Sequence, residues 1–257
     1  MTSGRLRVAV LASGSKGNAA LIEYGNTRVL LDCGLPLAEL EKRLAAIDRG
    51  PAELDAILVT HEHGDHCAGV PAVSRKYRVP VWLTGGTGRA LADREFSEVV
   101  YFSCHCPFDI GELHIEPMPV PHDAREPSQF VFHSGSRRIG WLTDLGHVSP
   151  HVLRMLHGCH GLMIEFNHDA GMLERGPYPA FLRRRVGGPF GHLNNDQAIA
   201  LIEGIDRSNL DSVAALHLSE VNNAPELVRR KIAAALNGSE TRIEVASQGD
   251  ALPWLEF

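Results

Sequence analysis

The chain has 257 residues, with 25 Lys and Arg against 31 Asp and Glu for a net charge of −6, and it carries 14 His. A hydrophobic fraction of 44% and a charged fraction of 22% are globular values that exclude a disordered chain, and 25 Gly without a fixed period exclude a collagen-like one. One large domain or two modest ones fit this length, and folding buries roughly 70–75% of the extended surface without disulfide staples.

In chain order, the opening MTSGRLRVAVLASGS has an apolar run at 6–12 that Arg7 interrupts and that is too short for a signal-peptide core. No stretch approaches the roughly 20 apolar residues of a membrane helix. The five Cys are an odd count, which fits reduced thiols and a cytoplasmic setting. Strand-like runs fall at 8–12, 28–31, 56–60, 79–83, 99–102, 113–120, 130–132, 138–143, 161–166, 212–218 and 242–247. Helical spacing is clearest at 37–47, 196–205 and 225–236, with weaker helices near 67–77, 88–96, 150–157 and 179–185. The strands form two groups, before and after roughly residue 125. That grouping fits two sheets packed face to face with helices outside, an αβ/βα sandwich; a three-layer doubly wound fold is the alternative.

The chemistry concentrates in Thr60-His61-Glu62-His63-Gly64-Asp65-His66, an H-x-H-x-D-H pattern that begins where the apolar run Ile57-Leu58-Val59 stops. His61 and His63 are two apart and project to one side of an extended chain. Three imidazoles and a carboxylate this close cost several kcal/mol if buried unpaired, so they read as a metal site. Further ligands must come from other strand ends, where His122, Asp144 and His217 stand just after apolar runs. Gly14-Ser15-Lys16-Gly17-Asn18 lacks the spacing of a phosphate-binding loop and reads as a Gly-rich hairpin between the first two strands. Cys104-His105-Cys106 has no matching pair elsewhere and does not read as a separate zinc site. Arg183-Arg184-Arg185 is either a solvated helix face or a hold on a nucleic-acid backbone.

With these residues in hand, the sequence resembles the metallo-β-lactamase-fold superfamily of metallohydrolases over nearly its whole length. The resemblance implies one domain, 1–257, as a four-layer αβ/βα sandwich of two mixed β-sheets flanked by helices, in two pseudo-symmetric halves of roughly 1–125 and 126–257. It implies that His61, His63 and His122 hold a first metal, that Asp65, His66 and His217 hold a second, and that Asp144 bridges them. Two divalent ions follow, with zinc the default and Mn or Fe compatible with the same donors. Asp144 stands where the secreted β-lactamases usually carry Cys.

Four further motifs resemble the YycJ-like branch, whose members are cytoplasmic and related to nucleases and phosphodiesterases: Ser13-Gly14-Ser15-Lys16-Gly17-Asn18, Glu165-Phe166-Asn167-His168-Asp169, Gly191-His192-Leu193-Asn194-Asn195, and His217 to Asn223. Asn194 departs from the branch, which has Ser there. The stretch between Asp144 and His217 is too short for a β-CASP-type domain. The expected reaction is hydrolysis of DNA, RNA or another phosphodiester by a hydroxide held between the ions. Asp65 ligates and hydrogen-bonds that hydroxide, and His192 protonates a leaving oxygen or binds a phosphate. Ser15, Asn18, Asn167, His168, Asn222 and Asn223 are the candidate substrate contacts. A glyoxalase-II-like (thio)ester hydrolase is the alternative, although the roughly forty residues after His217, with their strand-like run, leave little room for a helical substrate domain. A non-enzymatic metal-dependent sensor is a third reading, disfavoured by the complete ligand set. β-Lactam hydrolysis fits least. Substrate, cleavage polarity, metal identity and oligomeric state stay open at this point.

Overall fold

Strand alternation sets the layering. In β1 (Arg7–Ala12), Val8 and Val10 join one apolar cluster while Ala9 and Leu11 join another, so both faces of the strand are covered. The same split recurs in β12 (Ser212–Leu216), where Ala214 and Leu216 face the first cluster and Val213 and Ala215 a third. Three clusters between four layers follow. The first lies between the sheets, and the other two lie between each sheet and its helices. This computed structural model describes residues 4–249, 252 and 254–257.

The first sheet has the order β14 (Leu255–Glu256), β1, β2 (Ala19–Tyr24), β3 (Thr27–Leu31), β4 (Ala56–Leu58), β5 (Val81–Thr84), β6 (Val99–Phe102). The second runs β13 (Arg242–Val245), β12, β11 (Gly161–Glu165), β10 (Arg137–Leu142), β9 (Ser128–Ser134), β8 (Leu113–Pro119), β7 (Phe108–Ile110). Each sheet is mixed: an antiparallel run through β3 or β10 is followed by parallel strands. Helices α1 (Leu37–Ala45) and α3 (Val70–Tyr77) cover the first sheet through Leu40, Leu44, Val70 and Val73. Helices α5 (Pro150–Leu156), α8 (Asn195–Gly204) and α9 (Pro225–Leu236) cover the second. In α9 the stripe Val228, Ile232, Leu236 keeps the helical period that the sequence displays.

The αβ/βα sandwich is therefore the architecture, and the doubly wound alternative is not. The grouping of strands near residue 125 needs correction, because β7 and β8 belong to the second sheet: β8 pairs with β9 from His114↔His133 to Pro119↔Ser128. Chain order also hides β14, which returns to pair with β1. The sequence reading missed β2, whose AALIEY carries a charge and two small residues, and helix α6 (Ala170–Arg175), which Asp169 caps. The helix expected at 88–96 instead begins earlier, as α4 (Gly85–Ala90), because the Thr84 hydroxyl caps it by accepting from Thr87 N. The segment 67–77 divides into α2 (Gly64–Cys67) and α3.

Glu23 explains why β2 can hold a charge. It is buried, and it accepts hydrogen bonds from Arg7 and from Arg49 Nε at 2.8 Å and Nη2 at 3.0 Å. Arg7 in turn lies 4.4 Å from the ring centre of Trp254, which ties the last strand to the first. Burial pushes the Glu23 carboxyl up, but Arg49 and Arg7 outweigh it and hold it below its ordinary 4.5. A lowered folded value means stability that is present above the unfolded value and lost as pH falls through the folded one. Glu23→Gln is expected to cost about 2 kcal/mol in chemical denaturation at neutral pH, with the deficit shrinking in acid as the wild type loses the same contribution.

Candidate functional site

The parallel strands end on one edge of the sandwich, and the site is built where they end. Asp32 follows β3, His61 follows β4, His122 follows β8, Asp144 follows β10, His217 follows β12, and Glu165 closes β11. Asp32, Asp144 and His217 adopt left-handed backbone, with φ of 56°, 56° and 55°. For a residue with a Cβ this costs about 1–2 kcal/mol, and it turns each side chain off its strand end and across the edge.

Two groups of donor atoms converge. His61 Nε2 and His122 Nε2 lie 3.1 and 3.2 Å from His63 Nδ1. Asp65 Oδ2 lies 3.6 Å from His66 Nε2 and 3.4 Å from His217 Nε2. Asp144 stands between the groups, with Oδ2 at 3.1 Å from His66 Nε2 and Oδ1 at 3.6 Å from His217 Nε2 and 4.0 Å from His122 Nε2. The donor atoms of His61, His63 and His122 lie within 4.8 Å of one another, as do those of Asp65, His66 and His217. Buried Asp144 Oδ2 has no aligned hydrogen-bond donor. A buried carboxylate oxygen in that condition, among imidazole nitrogens, fits a divalent cation.

The far side of the rings is also specified. His61 Nδ1 sits 2.9 Å from Thr60 Oγ1, which donates to Asp32 Oδ2 at 2.8 Å and so accepts the ring N–H. His66 Nδ1 is 2.8 Å from Asp32 Oδ2, and His122 Nδ1 is 3.1 Å from Gly191 O. His217 Nδ1 is 3.2 Å from Glu165 Oε1. These bonds hold the four rings with Nε2 turned toward the cluster; without an ion there, Asp144 and the acids behind the rings hold His66 and His217 above their ordinary value despite burial. Burial holds His61 well below its ordinary value, and it lowers His122, so both favour the neutral ligand form. Burial also works on Asp144 and Glu165, raising them. His217 and His66 overcome it to hold Asp144 well below the usual carboxylate range, and His192 leads the effect that brings Glu165 to about 2.

Backbone packing locks the motif in place. Asp65 O accepts from Asn18 N at 2.7 Å, and His66 O accepts from Cys33 N at 2.7 Å. A Cβ on Gly34 would stand 1.9 Å from Asp65 O, so only glycine lets this loop approach. Asn18 accepts from Gly14 N at 2.9 Å and places Nδ2 3.1 Å from His66 Nε2 and 3.4 Å from Asp65 Oδ2, beside the donor atoms but outside the cleft lining.

A cleft of about 370 Å³ opens over the donors. Of the residues expected to touch substrate, Ser15 and Asn167 line it, together with Asp65 and His192. Asn167 Nδ2 donates to His217 O at 3.1 Å. His168, Asn222 and Asn223 lie outside the lining. His168 faces a neighbouring groove with Leu173 and Gly187. Asn223 is locked in a reciprocal amide pair with Asn195, 2.9 Å each way. Asn222 is fully buried. Glu165 Oε1 takes His192 Nδ1 at 2.7 Å, so the ring presents its other nitrogen to the cleft. Cys104 is buried, Cys106 is exposed, and neither joins a metal-binding group among the described residues.

Sequence reasoning gave no role to Asp32, Thr60, Glu165 or Asp123, and it left Arg185 between a solvated helix face and a hold on a nucleic-acid backbone. Asp32 and Glu165 carried the strand-end signal that picked out Asp144. Thr60 carried none, since its hydroxyl acts only through the neighbours that folding supplies. Helix α7 (Ala180–Val186) forms the opposite wall, with Leu182, Arg185 and Val186 on the cleft. Arg185 Nε donates to Asp123 Oδ2 at 2.6 Å.

Comparison with known proteins shows the family and the fold. Residues 27–213 match the β-lactamase superfamily domain. The chain is 32% identical over 239 residues to exodeoxyribonuclease YycJ of Bacillus anthracis, covering 90% of this chain and 89% of that protein. It is 35% identical over 228 residues to exodeoxyribonuclease WalJ of Streptococcus pneumoniae, covering 86% and 84%. In fold it is similar to the metallo-β-lactamase fold protein YhfI of Bacillus subtilis, with a TM-score of 0.73 at 15% identity over 96% of this chain and 99% of that one.

Glu165→Gln keeps the shape of the side chain but removes the charge that holds His217 and His192. Metal affinity is expected to fall about tenfold to a hundredfold, read by competition with a chelator, while the circular dichroism spectrum is retained.

Proposed function

The chain belongs to the β-lactamase superfamily, and on that premise we propose that it is a metal-dependent nuclease or phosphodiesterase acting on DNA or RNA. The observation that carries the reading is the convergence of His61, His63 and His122 nitrogens beside the under-bonded Asp144 carboxylate, opposite a second group of Asp65, His66 and His217. The relatives that span most of the chain are exodeoxyribonucleases, which favours a phosphodiester over the (thio)ester alternative.

In this reading His61, His63 and His122 hold one divalent ion, Asp65, His66 and His217 hold another, and Asp144 lies between them. Zinc is the default occupant, with Mn or Fe compatible with the same donors. Such ions supply an activated water at neutral pH and positive charge against a phosphate. Asp65, partly open to the cleft, accepts a hydrogen bond from the attacking water and orients it. His192 donates a proton from Nε2 to the leaving oxygen, because Glu165 occupies Nδ1. Ser15 offers its hydroxyl to the phosphate from the cleft rim. Asn18 and Asn167 act as positioning residues, one on the ligand motif and the other on His217. We assign His168, Asn222 and Asn223 to the packing that supports the floor of the cleft. The chain 1–257 works as one catalytic domain, and its cysteine usage supports a cytoplasmic setting. Among the described residues no helix is long and apolar enough to cross a membrane.

The test is an activity panel on metal-loaded protein: labelled single- and double-stranded oligonucleotides, bis-p-nitrophenyl phosphate and a thioester. Oligonucleotide cleavage is expected; good thioester turnover with no cleavage under Zn, Mn or Fe sinks the reading. Asp65→Ala should remove nearly all turnover. His192→Gln should lower kcat on oligonucleotides by roughly 100-fold or more. On bis-p-nitrophenyl phosphate the loss should be far smaller, since that leaving group departs without a proton.

A further inference from the structure

Helix α7 buries none of its residues, yet it walls the cleft. Phe181 is the i,i+4 neighbour of Arg185 and so shares its side of the helix. Phe181 is 67% exposed, and Phe190, in the turn that follows, is 57% exposed. One exposed phenylalanine needs no account, but here two adjoin residues that line the cleft, Phe181 beside Leu182 and Phe190 beside Gly191, and both are tied to the same small framework. That framework is Asp123, the residue after His122. Its Oδ2 accepts from Arg185 Nε at 2.6 Å, and its N–H donates to Phe190 O at 3.0 Å. Asp123 Oδ1 also lies 3.5 Å from His122 Nε2. Arg185 and Phe190 are thus held at fixed distance from the reacting centre. The bond to Asp123 uses Arg185 Nε alone, which leaves the amino groups of the guanidinium for a phosphate, a geometry it matches well. Arg183 and Arg184 add charge on the same short helix.

We propose that α7 and its following turn seat the strand to be cut as a single strand, with Arg185 on a phosphate beside the scissile one and unpaired bases stacked on Phe181 and Phe190. The inference rests on the nuclease reading above and names the substrate form of that same site. Stacking on a side chain needs a free base face, which a duplex hides. A cleft of about 370 Å³ is on the scale of a small ligand, so it admits one nucleotide at a time. The opposite rim carries Ser15 and Ser219, and Lys16 meets Glu220 across it at 2.6 Å.

The experiment compares wild type with the double variant Phe181→Ala/Phe190→Ala, with Phe181→Trp/Phe190→Trp, and with Arg185→Gln. Substrates are a single-stranded oligonucleotide, a blunt duplex of the same sequence and bis-p-nitrophenyl phosphate, all on the metal-loaded protein. Wild type should cut the single strand faster than the blunt duplex. The alanine pair should raise KM for the single strand about tenfold more than it raises KM for bis-p-nitrophenyl phosphate, and the tryptophan pair should restore it. Arg185→Gln should reduce the slope of log Kd against log salt by about 0.7 for a phosphorothioate single strand, the loss of one phosphate contact. No oligonucleotide cleavage by wild type overturns the nuclease reading and this inference together. Cleavage that the alanine pair weakens no more than it weakens bis-p-nitrophenyl phosphate turnover overturns this inference alone, as does a blunt duplex cut as fast as the single strand.

Discussion

His66 and His217 come from opposite sheets and meet across Asp144: His66 Nε2 lies 3.1 Å from Asp144 Oδ2, and His217 Nε2 lies 3.6 Å from Oδ1. Most of the site follows from that contact. A buried carboxylate between buried imidazoles is stable only where positive charge is supplied and the rings cannot turn away. The fold meets the second condition with strand ends. Asp32, Asp144 and His217 each sit at positive φ, so three strands finish by turning a side chain across the shared edge instead of along it. The two sheets supply the opposing force, because the cluster of Val8, Val10, Phe130, Phe132 and Trp141 between them fixes how closely the edges approach.

Behind the donors lies a layer that never reaches the cleft. Asp32 holds His66 and, through the Thr60 hydroxyl, His61. Glu165 does the same for His217 and His192. One buried acid on each sheet therefore orients two rings. Burial penalises both acids, yet Glu165 stays ionised because the imidazoles it orients repay the cost. The same residue links His217 to His192, so the nitrogen that His192 shows to the cleft is decided by a bond formed well inside the protein.

The walls of the cleft differ in kind. One is loop, with Ser15 and Ser219; the other is α7, short and unburied, with arginines and a phenylalanine outward. A helix that packs against so little has its residues free for a partner, and Asp123 supplies the registry that packing does not.

The sequence by itself picked out the candidate donor residues and suggested the layering. H-x-H-x-D-H is legible because its members are adjacent in the chain, and His122, Asp144 and His217 are legible because apolar runs stop just before them. The αβ/βα arrangement was legible only as one of two options, because strand and helix periods identify elements and not which strands share a sheet. What depends on distant segments was not. The placement of β8 and β14 is decided by edge pairing, which local pattern does not encode. Strand β2 was hidden by Glu23, whose charge makes sense only beside Arg7 and Arg49. Thr60 and Asp123 look like ordinary polar residues until folding brings their partners within hydrogen-bond reach, and only the bond to Asp123 separates Arg185 from its neighbours in the basic run. His168 and Asn223 stand next to site residues in the chain but face other neighbours in space. Candidacy as a metal donor is a property of residue type and spacing. Orientation, tautomer and substrate wall are properties of hydrogen bonds between segments far apart in sequence, and only the tertiary structure decided those.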